Sequence, residues 1–350
     1  MTEAEKDRLR SLLDRPLPLR GRTASCRLWL APMAGLGHVA LREVVSGFGG
    51  CGLLFSEMCT ARGLEKENRR SSPNFRWTDA EAGQLMIQIS GADPEEMTLA
   101  ARRIASENLC GVDINMGCAA TAMTKRGAGA ALLREPEKAA SVLHAVRAAV
   151  DAVNPDLPVT VKLRTGWSPD PGPACDMARL LRDAGADALI FHPRVAPDRR
   201  TRPPVWAHIR LVAEAVDIPV LGNGNVQTPQ DCLRMLEETG CAGVSVGRMA
   251  VARPWLFAEW VKGREFGPET YRRTALDLLD ALERHFDPQR AVKRWKKYAV
   301  YLAANYSYGH SLLPRLLRGA CLDDFRANAQ AVLDGTQALA SRPNVHLFTY

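Results

Sequence analysis

The sequence of 350 residues lacks three features that would each decide its class. No apolar run approaches the roughly 18 uninterrupted residues that a membrane-spanning helix needs. The first 15 residues are charged throughout, without an apolar stretch before a small-residue cleavage site, so we expect no secretory signal and a cytoplasmic protein. The nine cysteines are an odd number and include no C-x-x-C pair, which argues against a disulfide framework and a zinc finger. We therefore expect no metal site.

The composition permits a large folded core. Apolar residues make up 46% of the chain and charged residues 24%, which excludes disorder and fibrous classes. The length exceeds the prior of about 150 residues per domain, although α/β barrels reach about 200–250 residues as one domain. We predict an N-terminal extension over 1–26, a catalytic barrel domain over 27–262 and a smaller all-helical C-terminal domain over 263–350.

Eight short apolar runs alternate with stretches of helical periodicity. Each run is apolar throughout, as burial of a strand on both faces requires. The candidate strands span 27–31, 53–57, 84–89, 111–115, 158–163, 187–191, 218–222 and 242–247. Helix starts at Asp93-Pro94 and Thr228-Pro229 combine a capping side chain with proline at the first helical position. This alternation predicts an α/β (β/α)8 TIM barrel with an insertion after the fourth strand.

Unusual residues follow the later strands, where such a barrel forms its active site. Glycine-bearing turns follow strands seven and eight, and Arg248 adds a cation whose geometry suits phosphate. Lys162 ends strand five and His192 ends strand six, while Gln88 offers a donor and an acceptor on the same rim. Each residue alone has an ordinary structural explanation, such as a rim salt bridge or a satisfied core histidine. Together they predict a site for a phosphate-bearing cofactor, with features that suit a flavin.

Cys118 differs from the other cysteines in its surroundings. It follows strand four in Asn115-Met116-Gly117-Cys118, where small residues place the sulfur in the open. Such a thiol can act as nucleophile, proton donor or redox sensor. No base stands at a set spacing from it, which disfavours acyl transfer. We expect the other eight cysteines to pack as small apolar residues.

Acidic residues are absent between Arg290 and Arg318, a stretch with seven basic residues and interleaved aromatics. On a helix, spacings of four and three place Arg290, Arg294 and Lys297 on one face. A second basic run spans 194–202. A solvated charged face is the ordinary explanation, but the absence of acids over 29 residues favours binding of nucleic acid. The predicted RNA-binding residues are Arg164, Arg194, Arg290, Lys293, Arg294 and Lys297.

One motif supports a different fold. Residues 35–40 match G-x-G-x-x-A, and Glu57 ends the next strand as a ribose-binding acid would in a dinucleotide-binding sheet. This pattern alone is weak. A doubly wound sheet would not explain functional residues at four later strand ends, so we rank it below the barrel.

Six ordered motifs over about residues 27 to 260 resemble those of the tRNA-dihydrouridine synthases. The motifs are Ala31-Pro32-Met33-Ala34-Gly35, Gln88 in QISG, Asn115-Met116-Gly117-Cys118, 161–167, Asn223-Gly224-Asn225 and Val246-Gly247-Arg248. The resemblance implies an FMN-bound barrel that takes hydride from NADPH and reduces the C5–C6 bond of uridine in RNA, with tRNA as the expected substrate. It implies neither a membrane nor an obligate protein partner.

Carried over position by position, the resemblance assigns roles to residues of this chain. Cys118 would protonate C5 of the uracil ring. The implied FMN-binding residues are Pro32, Met33, Ala34, Gln88, Lys162, His192, Asn223, Gly224, Asn225, Gly247 and Arg248. The chain departs from the family pattern at Ala119, Pro193 and Asn225.

Three alternatives stay open. A small-molecule FMN barrel oxidoreductase would keep the phosphate turns but would have no need of the basic aromatic tail. The same chemistry could act on ribosomal RNA. A nonenzymatic RNA-binding descendant could lose Cys118, so the presence of that residue argues against it.

Overall fold

The computed structural model describes residues 1–198 and 202–349. The chain begins with a helix and a two-stranded antiparallel hairpin that the sequence analysis grouped only as an extension. These elements are α1 (Glu3–Leu13), β1 (Leu17–Leu19) and β2 (Arg22–Ala24). Thr2 and Glu5 form a capping box, in which each side chain accepts a hydrogen bond from the other residue's backbone N–H. Leu9 and Leu13 are buried against the rest of the protein.

The main sheet is parallel and closes on itself. Its strands are β3 (Leu28–Leu30), β4 (Leu54–Phe55), β5 (Cys59–Thr60), β6 (Leu85–Ser90), β7 (Gly111–Met116), β8 (Val159–Gly166), β9 (Ala188–Val195), β10 (Val220–Asn223) and β11 (Gly243–Val246). The order is β3-β11-β10-β9-β8-β7-β6-β4, and the short β5 pairs with β6. Leu30 N–H donates to Leu53 at 3.0 Å and Gly52 N–H to Leu28 at 2.8 Å, which joins the ends of that order.

This order confirms the eight-stranded barrel, because every predicted strand overlaps one of the eight that form the closed path. The doubly wound alternative is wrong, since its sheet would be open and would reverse its strand order. The G-x-G-x-x-A motif instead forms the first turn between strand and helix. In that turn His38 caps the next helix, with its Nδ1 accepting from Leu41 N–H at 3.3 Å.

Helices surround the barrel between its strands. They are α2 (Val39–Phe48), α3 (Pro94–Ala105), α4 (Thr121–Thr124), α5 (Pro136–Asp151), α6 (Gly172–Asp183), α7 (Ala207–Ala215), α8 (Pro229–Thr239), α9 (Arg248–Ala252) and α10 (Leu256–Lys262). Both predicted helix starts are confirmed: Asp93 caps α3, and Thr228 forms a capping box at α8. The predicted insertion after the fourth barrel strand consists of α4 and a 3-10 turn over Gly129–Arg134.

The segment between β4 and β6 departs from the alternation, because it contains β5 and two 3-10 turns but no α-helix. A buried ion pair fixes it to α2. Arg42 donates to both carboxylate oxygens of Glu81 at 2.8 and 3.0 Å, and both side chains are almost fully buried. Arg42 also donates to the carbonyls of Gly37 and Arg76 at 2.6 and 2.7 Å.

The C-terminal quarter of the chain is helical, as predicted. Its helices are α11 (Glu269–His285), α12 (Pro288–Ala303), α13 (Gly309–Leu316) and α14 (Leu322–Val332), followed by a 3-10 turn over Val345–Thr349. α11 packs on α2 and α12 packs on α9, so most of the buried apolar side chains of the barrel and the helices form one continuous cluster. A smaller cluster, which includes Trp29 and Phe55, is separate from it. The domain boundary at 262–263 stays a prediction.

The cysteines are all free, and six of them are buried. Cys118 and Cys175 are half-buried, whereas Cys321 is exposed at the start of α14. The expectation that all eight cysteines other than Cys118 pack inside is therefore wrong for Cys321. Among the described residues, no helix is both long and apolar enough to cross a membrane, and no cluster of side chains is suited to a metal ion.

The Arg42–Glu81 pair generates the first prediction. Arg42→Ala leaves the Glu81 carboxylate buried without its cation, so we expect it to lower the free energy of unfolding by about 3–5 kcal/mol. Urea unfolding measures the change. The control Arg179→Ala removes an ion pair with Asp176 in which both side chains are at least half exposed, and it should cost less than about 1 kcal/mol. Equal losses in the two variants would contradict the prediction.

Candidate active site

A cavity of about 240 Å³ lies where β3, β8, β9, β10 and β11 end. Its walls include most of the residues to which the sequence analysis assigned cofactor binding. These are Pro32, Met33, Lys162, His192, Asn223, Gly224, Asn225, Gly247 and Arg248. The predicted RNA-binding residue Arg164 lines the same cavity. Of the other predicted residues, Ala34 is exposed on the first turn, and Gln88 is buried inside the barrel.

The turn after β10 has a backbone that few residues can adopt. Gly224 has φ +121°, and a Cβ atom there would lie 2.7 Å from His192 Cδ2. Asn225 follows with φ 54°, the one positive value of a non-glycine residue in the described chain. Asparagine tolerates this left-handed conformation better than most side chains. Its Oδ1 accepts from Arg248 Nη2 at 3.0 Å and lies 3.5 Å from Arg194 Nη2, so the turn orients two guanidinium groups.

Four cations converge around His192. Burial lowers the pKa of this imidazole well below its ordinary value, and Lys162, Arg164, Arg194 and Arg248 lower it further by repulsion. His192 is therefore neutral near pH 7. Such a concentration of positive charge favours an anionic ligand.

Lys162 stands at the floor of this cavity. Its Nζ donates to Asn223 Oδ1 at 3.2 Å. Burial lowers the Lys162 pKa to about 8, and Arg164 acts in the same direction, while Asp113 and Cys118 oppose them. An ammonium with this pKa can supply positive charge to a neighbouring anion and gains stability when one binds.

A buried hydrogen-bond chain runs beneath the cavity. Thr160 Oγ1 donates to Asp113 at 2.6 Å, and Gln88 Nε2 donates to the other carboxylate oxygen at 2.6 Å. Gln88 Oε1 accepts from Asn115 Nδ2 at 2.8 Å. These contacts fix the orientation of both amides, so Asn115 turns its carbonyl oxygen toward the loop that carries Cys118.

The orientation of the Asn115 amide fixes the position of the loop that carries Cys118. Asn115 Oδ1 accepts from the backbone N–H groups of Gly117 at 3.1 Å and Cys118 at 2.9 Å. The Cys118 carbonyl accepts from Ala130 N–H at 2.9 Å. The same loop lies against Arg164, since a Cβ atom on Gly117 would be 3.5 Å from the Cγ atom of that residue. Cys118 therefore lies beside the cations of the cavity.

Two predicted RNA-binding residues contact the barrel. Arg294 is mostly buried and lies 3.3 Å from Glu57 Oε2, while Glu57 Oε1 accepts from Gly35 N–H. Lys297 Nζ donates to the Ala34 carbonyl at 2.6 Å. Both cations thus fix the first turn of the barrel from α12. Their proposed contact with RNA stays a prediction.

The other two predicted RNA-binding residues of α12 face solvent. Arg290 and Lys293 are exposed, and Arg290 forms a partly exposed ion pair with Asp287 at 3.3 Å. Burial lowers the pKa of Arg76, and repulsion from Arg290 lowers it further. Positive charge therefore accumulates between α12 and the segment after β5. In the second basic run, Arg199 and Arg200 lie outside the described residues.

Sequence reasoning missed several residues at the barrel mouth. A second cleft of about 600 Å³, beside the helix that follows Cys118, is lined by Arg62, Arg126 and Lys138 among others. They are far apart in the sequence, and only the folded chain brings them together. Val345 and Phe348 line the first cavity from the far end of the chain, and no sequence signal pointed to them.

The residues present fit a phosphate-bearing cofactor. Arg164 Nη1 is buried without a hydrogen-bond partner within the described part of the chain, although such a group normally has one. The cavity also offers amide oxygens and nitrogens and glycine turns that allow close approach. A closed parallel barrel with a cationic pocket at the carboxyl ends of its strands is the arrangement of a barrel enzyme whose active site lies at that end.

The comparisons identify the family within that class. A family model described as dihydrouridine synthase (Dus) matches residues 29–305. The tRNA-dihydrouridine synthase B of Pseudomonas putida is 32% identical over 328 residues, which cover 92% of this chain and 90% of that protein. The Pseudomonas aeruginosa protein of the same name is 37% identical over 233 residues, covering 67% of this chain and 68% of the relative. The chain belongs to the dihydrouridine synthase family.

Solved structures share the barrel. An old yellow enzyme homologue from Zymomonas mobilis matches 73% of this chain and 94% of its own with a TM-score of 0.52 and 14% identity. Morphinone reductase matches 73% and 90% with a TM-score of 0.50 and 15% identity. At these identities, the likeness supports the fold alone.

Asp113 generates a prediction about pH. Burial raises its pKa to about 7, although the hydrogen bonds from Thr160 and Gln88 act in the opposite direction. The pKa of an Asp in an unfolded chain is about 3.9. The folded state therefore binds this proton more tightly. Its contribution to stability is complete below about pH 4 and is lost as the pH rises to about 7. Asp113→Asn should remove this loss.

Urea unfolding between about pH 4 and pH 8 tests it through the difference in unfolding free energy between wild type and Asp113→Asn. As the pH rises, the unfolding free energy of the wild type should fall relative to that of Asp113→Asn. Asp183→Asn, which changes an exposed carboxylate on α6, is the control and should follow the wild-type profile. Parallel profiles for wild type and Asp113→Asn would contradict the assignment.

Proposed function

We propose that this protein is an FMN- and NADPH-dependent enzyme that reduces uridine to 5,6-dihydrouridine in RNA, with tRNA as its substrate. The observation that carries the proposal is the position of the half-buried Cys118 beside the cations of the cavity. Family membership supports the reaction, and the name of the curated relatives supports tRNA.

The cavity offers groups that suit the two ends of FMN. Arg248, held by Asn225, and the turn at Gly247 suit the phosphate. Lys162 suits the pyrimidine edge of the flavin, which gains negative charge on reduction. When bound, FMN reduced by NADPH supplies the hydride that C6 of the uracil ring accepts. Gln88 already satisfies both ends of its amide inside the barrel, so its proposed role is to support the site from below through Asn115.

Cys118 completes the reaction by donating a proton to C5 of the uracil ring. A ring carbon is a weak base, so its protonation needs an acid held in position. Asn115 provides that position by binding the backbone N–H groups of Gly117 and Cys118. The thiol can then regain its proton from solvent, since it is only half-buried.

Binding of RNA is the second part of the proposal. A target uridine must leave its stack to reach the barrel mouth, at a cost of a few kcal/mol. Phosphate contacts from exposed cations help to offset that cost. Arg290 and Lys293 on α12, with Arg126 beside the Cys118 loop, place exposed positive charge on two sides of the mouth.

The small-molecule alternative makes the opposite prediction about these cations. A barrel oxidoreductase acting on a free substrate would need the cavity, but its activity would not depend on Arg290 or Lys293. Two experiments therefore test the chemistry and the substrate separately.

Cys118→Ala tests the chemistry. The variant should bind FMN and allow its reduction by NADPH as the wild type does, because Cys118 does not line the cofactor cavity. Its rate of dihydrouridine formation in tRNA should fall by about 10²–10⁴-fold, the usual contribution of a positioned acid. Cys321→Ala, at the exposed cysteine of α14, is the control. Full product formation by Cys118→Ala would rule out the acid role.

Reversal of two exposed cations tests the substrate. The double variant Arg290→Glu with Lys293→Glu should weaken tRNA binding and reduce the slope of log affinity against log salt by about 1–2. Its FMN content should stay unchanged. Arg102→Glu with Arg179→Glu changes the same charge on exposed positions of α3 and α6 and is the control. If both pairs weaken binding equally, α12 has no specific role.

A further inference from the structure

The chain after α14 returns to the barrel mouth. We call residues 338–348 the C-terminal strap. Its first part runs along the end of α12. There, Ser307 N–H donates to the Ala338 carbonyl at 2.9 Å, and Ala340 N–H donates to the backbone carbonyl of Asn305 at 2.8 Å. Asn344 N–H then donates to the Ala304 carbonyl at 2.7 Å. The strap is therefore attached to the helical region before it reaches the cavity.

Asn305 connects the strap to the cofactor side of the barrel. Its side chain is fully buried, and its Oδ1 accepts from Arg253 Nε at 2.8 Å. Its Nδ2 donates to the Ala252 carbonyl at 2.9 Å. Ala252 is the last residue of α9, the helix that begins at Arg248. One asparagine thus joins the strap, α12 and the helix that carries the phosphate-binding arginine.

The strap ends in a 3-10 turn whose apolar side chains face inward. Val345 and Phe348 line the cavity together with Lys162, His192 and Arg248. Phe348 is 2% exposed and stacks on Tyr301 with ring centroids 4.6 Å apart. Its ring centroid lies 5.9 Å from the Arg248 guanidinium carbon. The stacking holds the ring at the border of the cavity, beside the cation that suits a phosphate.

We propose that the C-terminal strap forms one wall of the cofactor site and retains FMN by covering its phosphate end through Val345 and Phe348. The proposal rests on the function proposed above, because it takes FMN as the occupant. An apolar wall excludes water from Arg248, and a charge pair is stronger where the surroundings are less polar. Cofactor release then requires the strap to move, so the strap slows dissociation as well as strengthening binding.

The test compares aromatic residues inside and outside the cavity. FMN binding to the full-length apoprotein is measured by quenching of flavin fluorescence, and release is measured by its recovery after dilution. Phe348→Ala should raise the Kd for FMN at least ten-fold, mainly through faster dissociation. Phe348→Leu keeps an apolar side chain and should raise it less, which preserves a measurable variant if the alanine change prevents folding.

Phe325 provides the matched control. It is fully buried and stacks on Trp295 with centroids 6.0 Å apart, but it belongs to α14 and does not line the cavity. Phe325→Leu should lower stability without changing the Kd for FMN. A Kd within two-fold of wild type in both folded Phe348 variants would overturn the proposal, as would tighter binding, which would mean that the strap competes with FMN. A wild-type protein that takes up no FMN would overturn the proposed function as well.

Discussion

Mutual repulsion among four cations around His192 is the constraint on which the site depends. Lys162 and Arg164 lie on β8, Arg194 lies on β9 and Arg248 begins α9, and the barrel brings these three segments to one opening. Crowding like charges lowers stability, so the arrangement is understandable when an anion completes it. Asn225 and Asn223 reduce the cost in the free protein, because each accepts a hydrogen bond from one of these cations. They do so without adding a negative charge that would compete with a phosphate for the same partners.

Beneath the cations, the barrel interior contains a column of polar side chains. Thr160, Asp113, Gln88 and Asn115 form a continuous chain of hydrogen bonds between otherwise apolar strands. Burying such groups is costly unless each one is satisfied, and a satisfied network is rigid. At one end of this network, Asn115 accepts hydrogen bonds from the backbone N–H groups of Gly117 and Cys118 and so holds them in place. The position of a thiol on an irregular loop is thus fixed by residues inside a sheet, and a loop free of secondary structure becomes part of a preorganised site.

The sequence allowed the barrel and most of the cavity to be predicted, because both follow from local patterns. Eight apolar runs gave the strands, and the rule that active sites form at their carboxyl ends selected Lys162, His192 and Arg248. Local patterns could not reveal which long-range contacts the chain makes. Residues 1–26 contain a capping box at Thr2 and Glu5 that signals a helix, but nothing in them shows that the helix packs on the barrel. Phe348 joins a cavity whose other residues lie 99 or more positions earlier, except Val345.

The basic helix α12 shows why a correct pattern can still leave a function undetermined. The spacing of Arg290, Arg294 and Lys297 placed them on one face of a helix, but periodicity does not say what that face contacts. The contact of this face depends on Glu57, which is buried just after β4. Its carboxylate needs a neighbouring cation, and Arg294 provides it. Lys297 then reaches Ala34, so this end of the face holds the first barrel turn, while Arg290 and Lys293 remain exposed. The basic residues of α12 therefore have two roles. Arg294 and Lys297 fix the helix to the barrel, whereas Arg290 and Lys293 present positive charge to solvent. The sequence alone could not separate these roles, because the difference depends on the contact with the buried Glu57.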